Sequence, residues 1–256
     1  MRLERYYKEA PVLILYLADV SSWPLISYYG GQFPKRMAFV HPDVLGPLRN
    51  IAERVVITDL YRDPISSLEA RKLGKRGVQR PGWSGHNFGI SIDLDIDACL
   101  NRKFTEKKTT NKELVSHSRD SFNNYLTFLV WMADNGWTCH RSDGKRGFED
   151  WHFNCLGSRN ELTPYSSAGP QRWISDHYAD NFNLDEREAQ TVLSNLGYYK
   201  GSIDGDWGPL SQAAMRAFER SLNLTEDGKL DAVSMRSLAV FTAHKNIIVA
   251  PWEEHD

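Results

Sequence analysis

The sequence predicts two domains, an N-terminal domain that mixes helices with strands and a C-terminal domain of three short helices. Three observations carry this prediction. Residues 90–97 alternate apolar and polar side chains, residues 120–135 repeat apolar side chains at a helical spacing, and three short helical repeats follow residue 187. The chain has 256 residues, which is enough to bury a core without disulfide or metal support.

The composition is typical of a globular protein. Apolar residues make up 41% and charged residues 25% of the chain, unlike disordered or membrane proteins. With 31 basic and 33 acidic residues the net charge is −2, so a nucleic-acid-binding protein is not indicated. The apolar run 11–18 is too short to cross a bilayer, and Glu4 and Glu9 do not fit a signal peptide. We expect a monomer without nucleic-acid partners or membrane insertion, made without an export signal.

The three cysteines do not form a disulfide framework. The chain has an odd number of cysteines, and none lies close to another in the sequence; they are Cys99, Cys139 and Cys155. This pattern predicts small buried thiols in a reducing compartment.

The first elements of the N-terminal domain are short. Helices are predicted over 44–54 and 65–73, the second ended by Gly74. Weaker strand patterns cover 55–60 and 148–154.

The strand at 90–97 has the strictest pattern, reading Ile-Ser-Ile-Asp-Leu-Asp-Ile-Asp. Successive side chains of a strand point to opposite faces, so the four aliphatic residues are expected to face the core. The polar face then carries Ser91, Asp93, Asp95 and Asp97.

The longest helix is predicted over 120–135, capped by Asp120 or Ser121 and ended by Gly136. The segment 101–118 before it is polar and basic, which is typical of a surface excursion. The predicted apolar face of the helix comprises Phe122, Tyr125, Leu126, Leu129, Val130 and Ala133.

The character of the sequence changes after residue 157, where Gly, Ser and Pro become frequent and helical periodicity fades. Three short helices follow, the second beginning at Pro209, a favoured first helical position. The predicted domains are therefore 1–157 and 187–245, joined by a linker at 158–186.

Two polar segments contain side chains that bind metals: 84–93, Ser-Gly-His-Asn-Phe-Gly-Ile-Ser-Ile-Asp, and 149–152, Glu-Asp-Trp-His. His86, Asp93 and His152 supply two imidazoles and one carboxylate. Catalytic zinc takes three such ligands and leaves a fourth position for water, whereas calcium prefers more oxygen ligands.

The spacing of these residues requires a break in the strand. His86 and Asp93 are seven residues apart, which puts them on opposite faces of a straight strand, and Gly89 can supply a bulge or turn between them. Glu149 lies three residues before His152 and can act as a base for a metal-bound water without binding the metal. The spacing alone is also compatible with solvated aspartates and an acidic surface loop.

The two segments resemble the motifs S-x-H-x-x-G-x-A-x-D and E/D-x-W-H of the LAS group of zinc metallopeptidases. That group includes D-Ala-D-Ala carboxypeptidases and L-alanoyl-D-glutamate endopeptidases. The resemblance covers about residues 40–155 and departs from the first motif at Ser91, whose hydroxyl could hydrogen-bond the Asp93 carboxylate. It implies an α+β domain with a small antiparallel sheet and one zinc ion per chain on the three ligands named above, with Glu149 as catalytic base.

The segment 61–64, Tyr-Arg-Asp-Pro, is similar to the strand-end segment of the same family, although 58–60 depart from it. By this resemblance Arg62 contacts substrate and stabilises the transition state. The resemblance also gives Ser84 a part in holding substrate.

Two other chemistries stay open at this point. Cys155 lies near His152, so a Cys–His nucleophile is conceivable, although it leaves the segment 84–93 unexplained. Asp95 and Asp97 could bind a calcium ion beside the zinc.

Residues 187–240 resemble the three-helix peptidoglycan-binding domain found on cell-wall hydrolases. The resemblance rests on Leu-Gly-Tyr-Tyr at 196–199 and on Ile-Asp-Gly-Asp-Trp-Gly-Pro at 203–209. The candidate wall-binding residues, which could equally be core side chains of so small a domain, are Tyr198, Tyr199 and Trp207.

Together the two resemblances predict a modular peptidoglycan hydrolase of the phage endolysin type. A zinc peptidase would cut the stem peptide, with the L-Ala-D-Glu bond preferred, and the C-terminal domain would hold it on the wall. The alternatives are a D-Ala-D-Ala carboxypeptidase and a non-catalytic peptidoglycan-binding protein. We expect the protein to stay in the host cytoplasm until a holin releases it to the wall.

Overall fold

The computed structural model describes residues 13, 15–20, 23, 26–27, 38–52, 54–74, 78–100, 122, 124–139, 146–147, 149–155, 168–243 and 247–250. The predicted surface segment 101–118 and the predicted helix caps Asp120 and Ser121 lie outside these residues. Within them the fold combines several helices with two small sheets.

The strands form one sheet of three strands and one of five. Their bounds are β1 (Leu15–Asp19), β2 (Ile26–Ser27), β3 (Phe39–Val40), β4 (Val56–Asp59), β5 (Ser91–Leu94), β6 (Trp137–Cys139), β7 (His152–Cys155) and β8 (Ile247–Ala250). The smaller sheet has the order β3-β1-β8 and the larger one β2-β4-β5-β7-β6. In the larger sheet β4, β5, β7 and β6 pair antiparallel, while β2 pairs parallel with β4.

The helices precede, separate and follow these strands. Their bounds are α1 (Leu45–Ile51), α2 (Pro64–Lys72), α3 (Ile96–Cys99), α4 (Tyr125–Asp134), α5 (Ala168–Tyr178), α6 (Glu186–Asn195), α7 (Pro209–Ser221) and α8 (Ala232–Ala243). None of the helices in the described part of the chain is long and apolar enough to span a membrane.

Strand β5 confirms the predicted core face but is shorter than the alternating pattern. The four aliphatic side chains of 90–96 are at most 3% exposed. The strand ends at Leu94 because Asp95 begins a new element: its carboxylate accepts a hydrogen bond from the backbone N–H of Ala98 at 2.9 Å and caps α3.

Helix α4 buries only part of the predicted face, because Phe122 and Tyr125 are buried as predicted but other residues of that face are not. Leu126 and Val130, assigned to the core, are each 54% exposed, whereas Phe128 and Met132 are fully buried. The helix begins after Asn124, which caps it. The prediction was wrong at Leu126 and Val130 because apolar residues surround almost the whole helix, so the helical spacing fits more than one face.

The three C-terminal helices lie where the sequence predicts them. Helices α6, α7 and α8 occupy the predicted domain 187–245, with α6 beginning one residue before it, and α7 begins at Pro209 as predicted. Asp185 and Glu188 form a capping box at the start of α6, which satisfies N–H groups that the first helical turn leaves unpaired.

Helix α5 occupies part of the segment predicted as a linker. Trp173, Ile174 and Tyr178 of this helix are buried. Their spacing of one and four residues is the helical signal that the sequence reading missed, because Gly169 and Pro170 at the start resemble a loop.

The described residues divide into two compact units. One contains those within Met1–Leu15, Asp63–Asn87 and Ile174–Ile248, and the other contains those within Tyr16–Arg62, Phe88–Trp173 and Val249–Asp256. The segment 63–87 therefore shares a unit with the C-terminal helices, whereas the predicted domains separate the two. The division falls inside the short 3-10 helix Gly85–Phe88.

The cysteines are buried free thiols, as predicted. Burial raises the pKa of the Cys99 thiol to about 12, and its sulfur accepts a hydrogen bond from the backbone N–H of Val56. A thiol in this state is a packing group and not a nucleophile at neutral pH.

Candidate functional site

Three neighbouring strands place polar side chains in one row across the larger sheet. In the register of β4 with β5, Asp59 pairs with Asp93, and in that of β5 with β7, Asp93 pairs with His152. Residues that pair in this way lie on the same face of a sheet. The antiparallel order β4-β5-β7 thus brings residues from 59 to 152 together.

Gly89 forms the turn that connects His86 to the row of polar side chains on the sheet. Its φ is +71°, and a Cβ there would lie 2.6 Å from the His41 nitrogen and 3.0 Å from the Val40 carbonyl carbon. Only glycine fits so close a backbone approach at this φ. The chain turns there from the 3-10 helix Gly85–Phe88 into β5, as the sequence predicted from the seven-residue spacing.

His86, Asp93 and His152 come together as a group that can bind a metal. One ligand atom from each lies within 4.8 Å of the other two. His86 is 1% exposed, and His152 Nδ1 and Asp93 Oδ1 are 2.8 Å apart in a hydrogen bond. Two imidazoles and one carboxylate are the donors of catalytic zinc sites, so this set fits zinc better than a cation that requires many oxygens.

Arg62 binds the carboxylate of the candidate ligand Asp93. Its guanidinium donates to Asp93 Oδ2 at 3.2 Å and makes two hydrogen bonds to Asp59 Oδ2. Burial alone would lower the pKa of Arg62, but the two carboxylates outweigh it and raise that pKa above its usual value. Arg62 is therefore a fixed positive charge at the edge of the group, with 24% of its side chain exposed.

Glu149 has a strained backbone beside the group. Its φ of +57° lies in the left-handed region, which among the described non-glycine residues it shares with Asn223. Such a conformation costs about 1–2 kcal/mol for a residue with a Cβ, and it is frequent at functional sites. The Glu149 carbonyl accepts a hydrogen bond from the His152 N–H at 3.2 Å, which ties it to the strand that carries the ligand.

The neighbouring carboxylate, Asp150, has a structural role. It is 4% exposed, accepts a hydrogen bond from the Gly147 N–H at 3.1 Å and pairs with Arg146. The segment 149–152 is thus not a solvated acidic loop, because its aspartate is buried and paired.

Ser84 and Asn87 hold the turn that carries His86. Ser84 Oγ accepts a hydrogen bond from the His86 N–H at 3.3 Å, and Ser84 is 4% exposed. The fully buried Asn87 accepts from the Gly82 N–H at 3.1 Å and donates to Ser67 Oγ at 3.3 Å. Sequence reasoning missed Asn87, although a polar residue next to a metal-ligand candidate and two glycines is a usable signal.

Ser91 makes a different hydrogen bond from the expected one. Its hydroxyl donates to Asn154 Oδ1, the residue that pairs with it across β5 and β7. A serine hydroxyl has one proton, so it cannot also donate to Asp93. The expectation of a Ser91–Asp93 hydrogen bond was therefore wrong, and Asn154 is a further residue that sequence reasoning missed.

The structure gives little support to the two alternatives, a Cys–His nucleophile and a calcium site at Asp95 and Asp97. Cys155 lies three residues from His152 in β7, so the two side chains point to opposite faces of the strand. Asp95 caps α3, and Asp97 pairs with Arg146 at 2.9 Å, so each carboxylate already has a partner. Calcium at that position stays an untested prediction.

The candidate wall-binding aromatics are bound into the three-helix domain by their polar ends. Tyr199 is 5% exposed and its hydroxyl donates to the Ser202 carbonyl at 2.8 Å. Trp207 Nε1 donates to the Gly228 carbonyl at 3.0 Å, and the Tyr198 hydroxyl donates to Ser221 at 3.0 Å. Tyr199 is a core residue, whereas Tyr198 and Trp207 are half-buried.

A buried glutamine fixes the turn between α6 and α7. The Gln190 amide nitrogen donates to Asp204 Oδ1 and to the Asp206 carbonyl, at 3.1 and 2.9 Å. Its amide oxygen accepts from the N–H groups of Asp204 and Gly205, at 3.0 and 2.9 Å. Gln190 thereby satisfies two backbone N–H groups and one carbonyl of this Gly-rich turn.

One comparison with known proteins concerns this C-terminal region. Residues 185–238 match the family described as "Putative peptidoglycan binding domain". These residues form a peptidoglycan-binding domain. The match begins two residues before the predicted start at 187 and covers α6, α7 and part of α8.

Curated relatives match only a small part of their own length. The chain is 42% identical over 76 residues to "Localization factor PodJL" from two strains of Caulobacter vibrioides, NA1000 / CB15N and ATCC 19089 / CIP 103742 / CB 15. The match covers 30% of this chain and 7% of either relative. No solved structure gives a significant match.

Proposed function

We propose that this protein is a zinc-dependent peptidoglycan peptidase that hydrolyses an amide bond of the stem peptide. One observation carries the proposal: a two-histidine, one-aspartate group with ligand atoms within 4.8 Å of one another lies in the same chain as a peptidoglycan-binding domain. The binding domain makes peptidoglycan a partner, and the group supplies the donors that a hydrolytic metal requires.

His86, Asp93 and His152 would hold the zinc. When bound, zinc lowers the pKa of its water and polarises a substrate carbonyl. Two of these ligands are held in place by the chain, because Arg62 donates a hydrogen bond to Asp93 and orients it, and Ser84 fixes the backbone of His86. Such outer partners strengthen and orient metal ligands.

Glu149 would move the proton in this reaction. Glu149 lies three residues before His152, and its carbonyl accepts a hydrogen bond from the His152 N–H at 3.2 Å, so the backbone ties it to a residue that would bind zinc. A carboxylate there can take a proton from water and return it to the leaving amine. Arg62, with its fixed positive charge, would stabilise negative charge that develops on the substrate carbonyl.

A wall-anchoring domain favours an endopeptidase, because a retained enzyme can cut cross-linked strands many times. We therefore propose the L-Ala-D-Glu bond as the target and the D-Ala-D-Ala bond as the alternative. Digestion of purified sacculi followed by mass spectrometry of the muropeptides separates them. Muropeptides cut after L-Ala support the endopeptidase, whereas release of free D-Ala supports the carboxypeptidase.

A non-catalytic wall-binding protein would give a third outcome in the same digest. It would bind sacculi and release no new amine with or without added zinc. The storage of the protein in a host cytoplasm and its release through a holin stay predictions.

A further inference from the structure

Arg236 of the peptidoglycan-binding domain reaches the segment that presents His86. It lies on α8 within the same compact unit as residues 63–87, and it is 6% exposed. Its Nε donates a hydrogen bond to the Gly82 carbonyl at 2.6 Å. Its guanidinium carbon lies 4.2 Å from the centre of the Trp83 ring and 5.2 Å from that of Phe182.

The contact depends on close approach of two backbones. A Cβ at Gly82 would lie 2.7 Å from the carbonyl oxygen of Arg236, and Gly82 has a φ of +79°. Both features exclude other residues at this position. The loop at 82–83 is thus fitted to α8 by shape as well as by the guanidinium.

The buried charge is tolerated because its surroundings replace water. Burial lowers the pKa of Arg236 to about 10, so the guanidinium is still charged at neutral pH. A cation on the face of a tryptophan, with a carbonyl at its Nε, recovers part of the lost hydration. A lysine cannot match this arrangement, since its compact ammonium lacks the planar donor group.

From Gly82 a short series of hydrogen bonds leads to His86. The Gly82 N–H donates to Asn87, and Asn87 in turn donates to Ser67 of α2. The intervening turn is closed by Ser84, whose hydroxyl oxygen accepts from the His86 N–H. One end of this turn is therefore anchored on α8 and the other on α2.

The same unit also anchors α2 on the C-terminal helices. Arg71 donates to the Leu222 carbonyl at 2.9 Å, and the Lys72 ammonium lies 5.1 Å from the centre of the Tyr198 ring. Both supports of the His86 turn thus depend on the peptidoglycan-binding domain.

We propose that Arg236 is a positioning residue for His86, so that the wall-binding domain sets the metal affinity of the candidate zinc site. The expected change in zinc affinity rests on the proposed function, whereas the expected change in hydrogen exchange at 82–87 does not.

The test compares Arg236→Met and Arg236→Lys with two control variants of the full chain. Arg220→Met removes an exposed arginine of the same domain that pairs with Glu226. Val192→Ala destabilises the same domain from a buried position on α6. The controls separate loss of charge and loss of stability from loss of positioning.

Two measurements are made on each variant. Hydrogen exchange of the metal-free protein reports on the segment 82–87, and we expect Arg236→Met to speed exchange there at least tenfold while both controls leave it unchanged. Titration with zinc, and the visible spectrum with cobalt, report on the ligands. We expect Arg236→Met to weaken zinc binding at least tenfold and change the cobalt spectrum, with a smaller effect for Arg236→Lys.

Failure of the positioning role and failure of the proposed zinc site give different results. Unchanged exchange at 82–87 in Arg236→Met overturns the positioning role, as does an equal loss of zinc affinity in Val192→Ala and Arg236→Met. If the unmodified protein binds no zinc while the exchange effect is seen, the proposed function fails and the coupling of α8 to the turn stands.

Discussion

Asp93 has a histidine on one side and an arginine on the other. Its Oδ1 pairs with His152 at 2.8 Å and its Oδ2 with Arg62 at 3.2 Å. A carboxylate held by a partner on each oxygen keeps one orientation, which a metal ligand requires. The residues of the group were predictable from two short motifs, whereas the partners that orient them were not, because hydrogen bonds across strands depend on register.

Substitution of Glu149 by Gln tests its role as a base. The variant keeps the shape of the side chain but cannot take a proton, so zinc content should be unchanged while kcat falls by about 10²–10⁴. Metal analysis together with a rate assay on muropeptides measures both. Glu69→Gln, the same change at an exposed position of α2, should keep full activity. Full activity in Glu149→Gln would exclude this glutamate as the base.

At the scale of elements, the sequence predicted the structure correctly where the apolar residues followed a single spacing. The alternation at 90–97 fixed which face of β5 is buried, and Pro209 marked the start of α7. It failed at α4, where Leu126 and Val130 compete with Phe128 and Met132 for the core. Tertiary packing decides between two such faces, and a single sequence contains no information on the packing partner.

The turn at Gly89 provides a test of how the elements build the site. Gly89→Ala introduces a Cβ 2.6 Å from a backbone nitrogen at a φ of +71°, so it should destabilise the protein by at least ~1–2 kcal/mol and weaken zinc binding. Gly46→Ala is the matched control, since a Cβ there meets nothing within 4 Å. Denaturant unfolding and zinc titration check both variants. Equal behaviour of the two would contradict the assigned geometry of the turn.

The buried Glu219 on α7 gives the three-helix domain a predictable pH dependence. Its carboxylate accepts hydrogen bonds from the Gly228 N–H and the Ser234 hydroxyl, at 3.0 and 3.1 Å. Burial nevertheless raises its pKa above the ordinary value of 4.5. The folded domain then holds the proton more tightly than the unfolded chain, so this group's stabilisation is complete below pH 4.5 and is lost as pH rises through the folded pKa.

Glu219→Gln cannot titrate and should flatten this fall in the free energy of unfolding above pH 4.5. Urea unfolding of the full chain between pH 4 and pH 7, on the order of three pH units, measures the slope. The exposed Glu186→Gln should retain the slope of the unmodified protein. The same slope in Glu219→Gln would show that this carboxylate does not cause it.

At the scale of the whole molecule, the segment 63–87 groups with the C-terminal helices although it precedes them by about a hundred residues in the chain. The predicted domain boundary lies in a Gly- and Pro-rich stretch between these two segments, because amino-acid composition reports only on local structure. The sequence contains no signal that Arg236 is buried, and only its contacts with Gly82 and Trp83 indicate a role for it. Long-range contacts of this kind are what a single sequence leaves undetermined.

The proposed chemistry depends on zinc binding by His86, Asp93 and His152, which the zinc content per chain after equilibrium dialysis measures. We predict one zinc ion per chain in the unmodified protein and in His177→Ala, an exposed histidine of α5. We predict a loss of most of that zinc in His152→Ala. A protein without bound zinc, or a His152→Ala variant with as much zinc as His177→Ala, would contradict the assignment of these three residues as ligands.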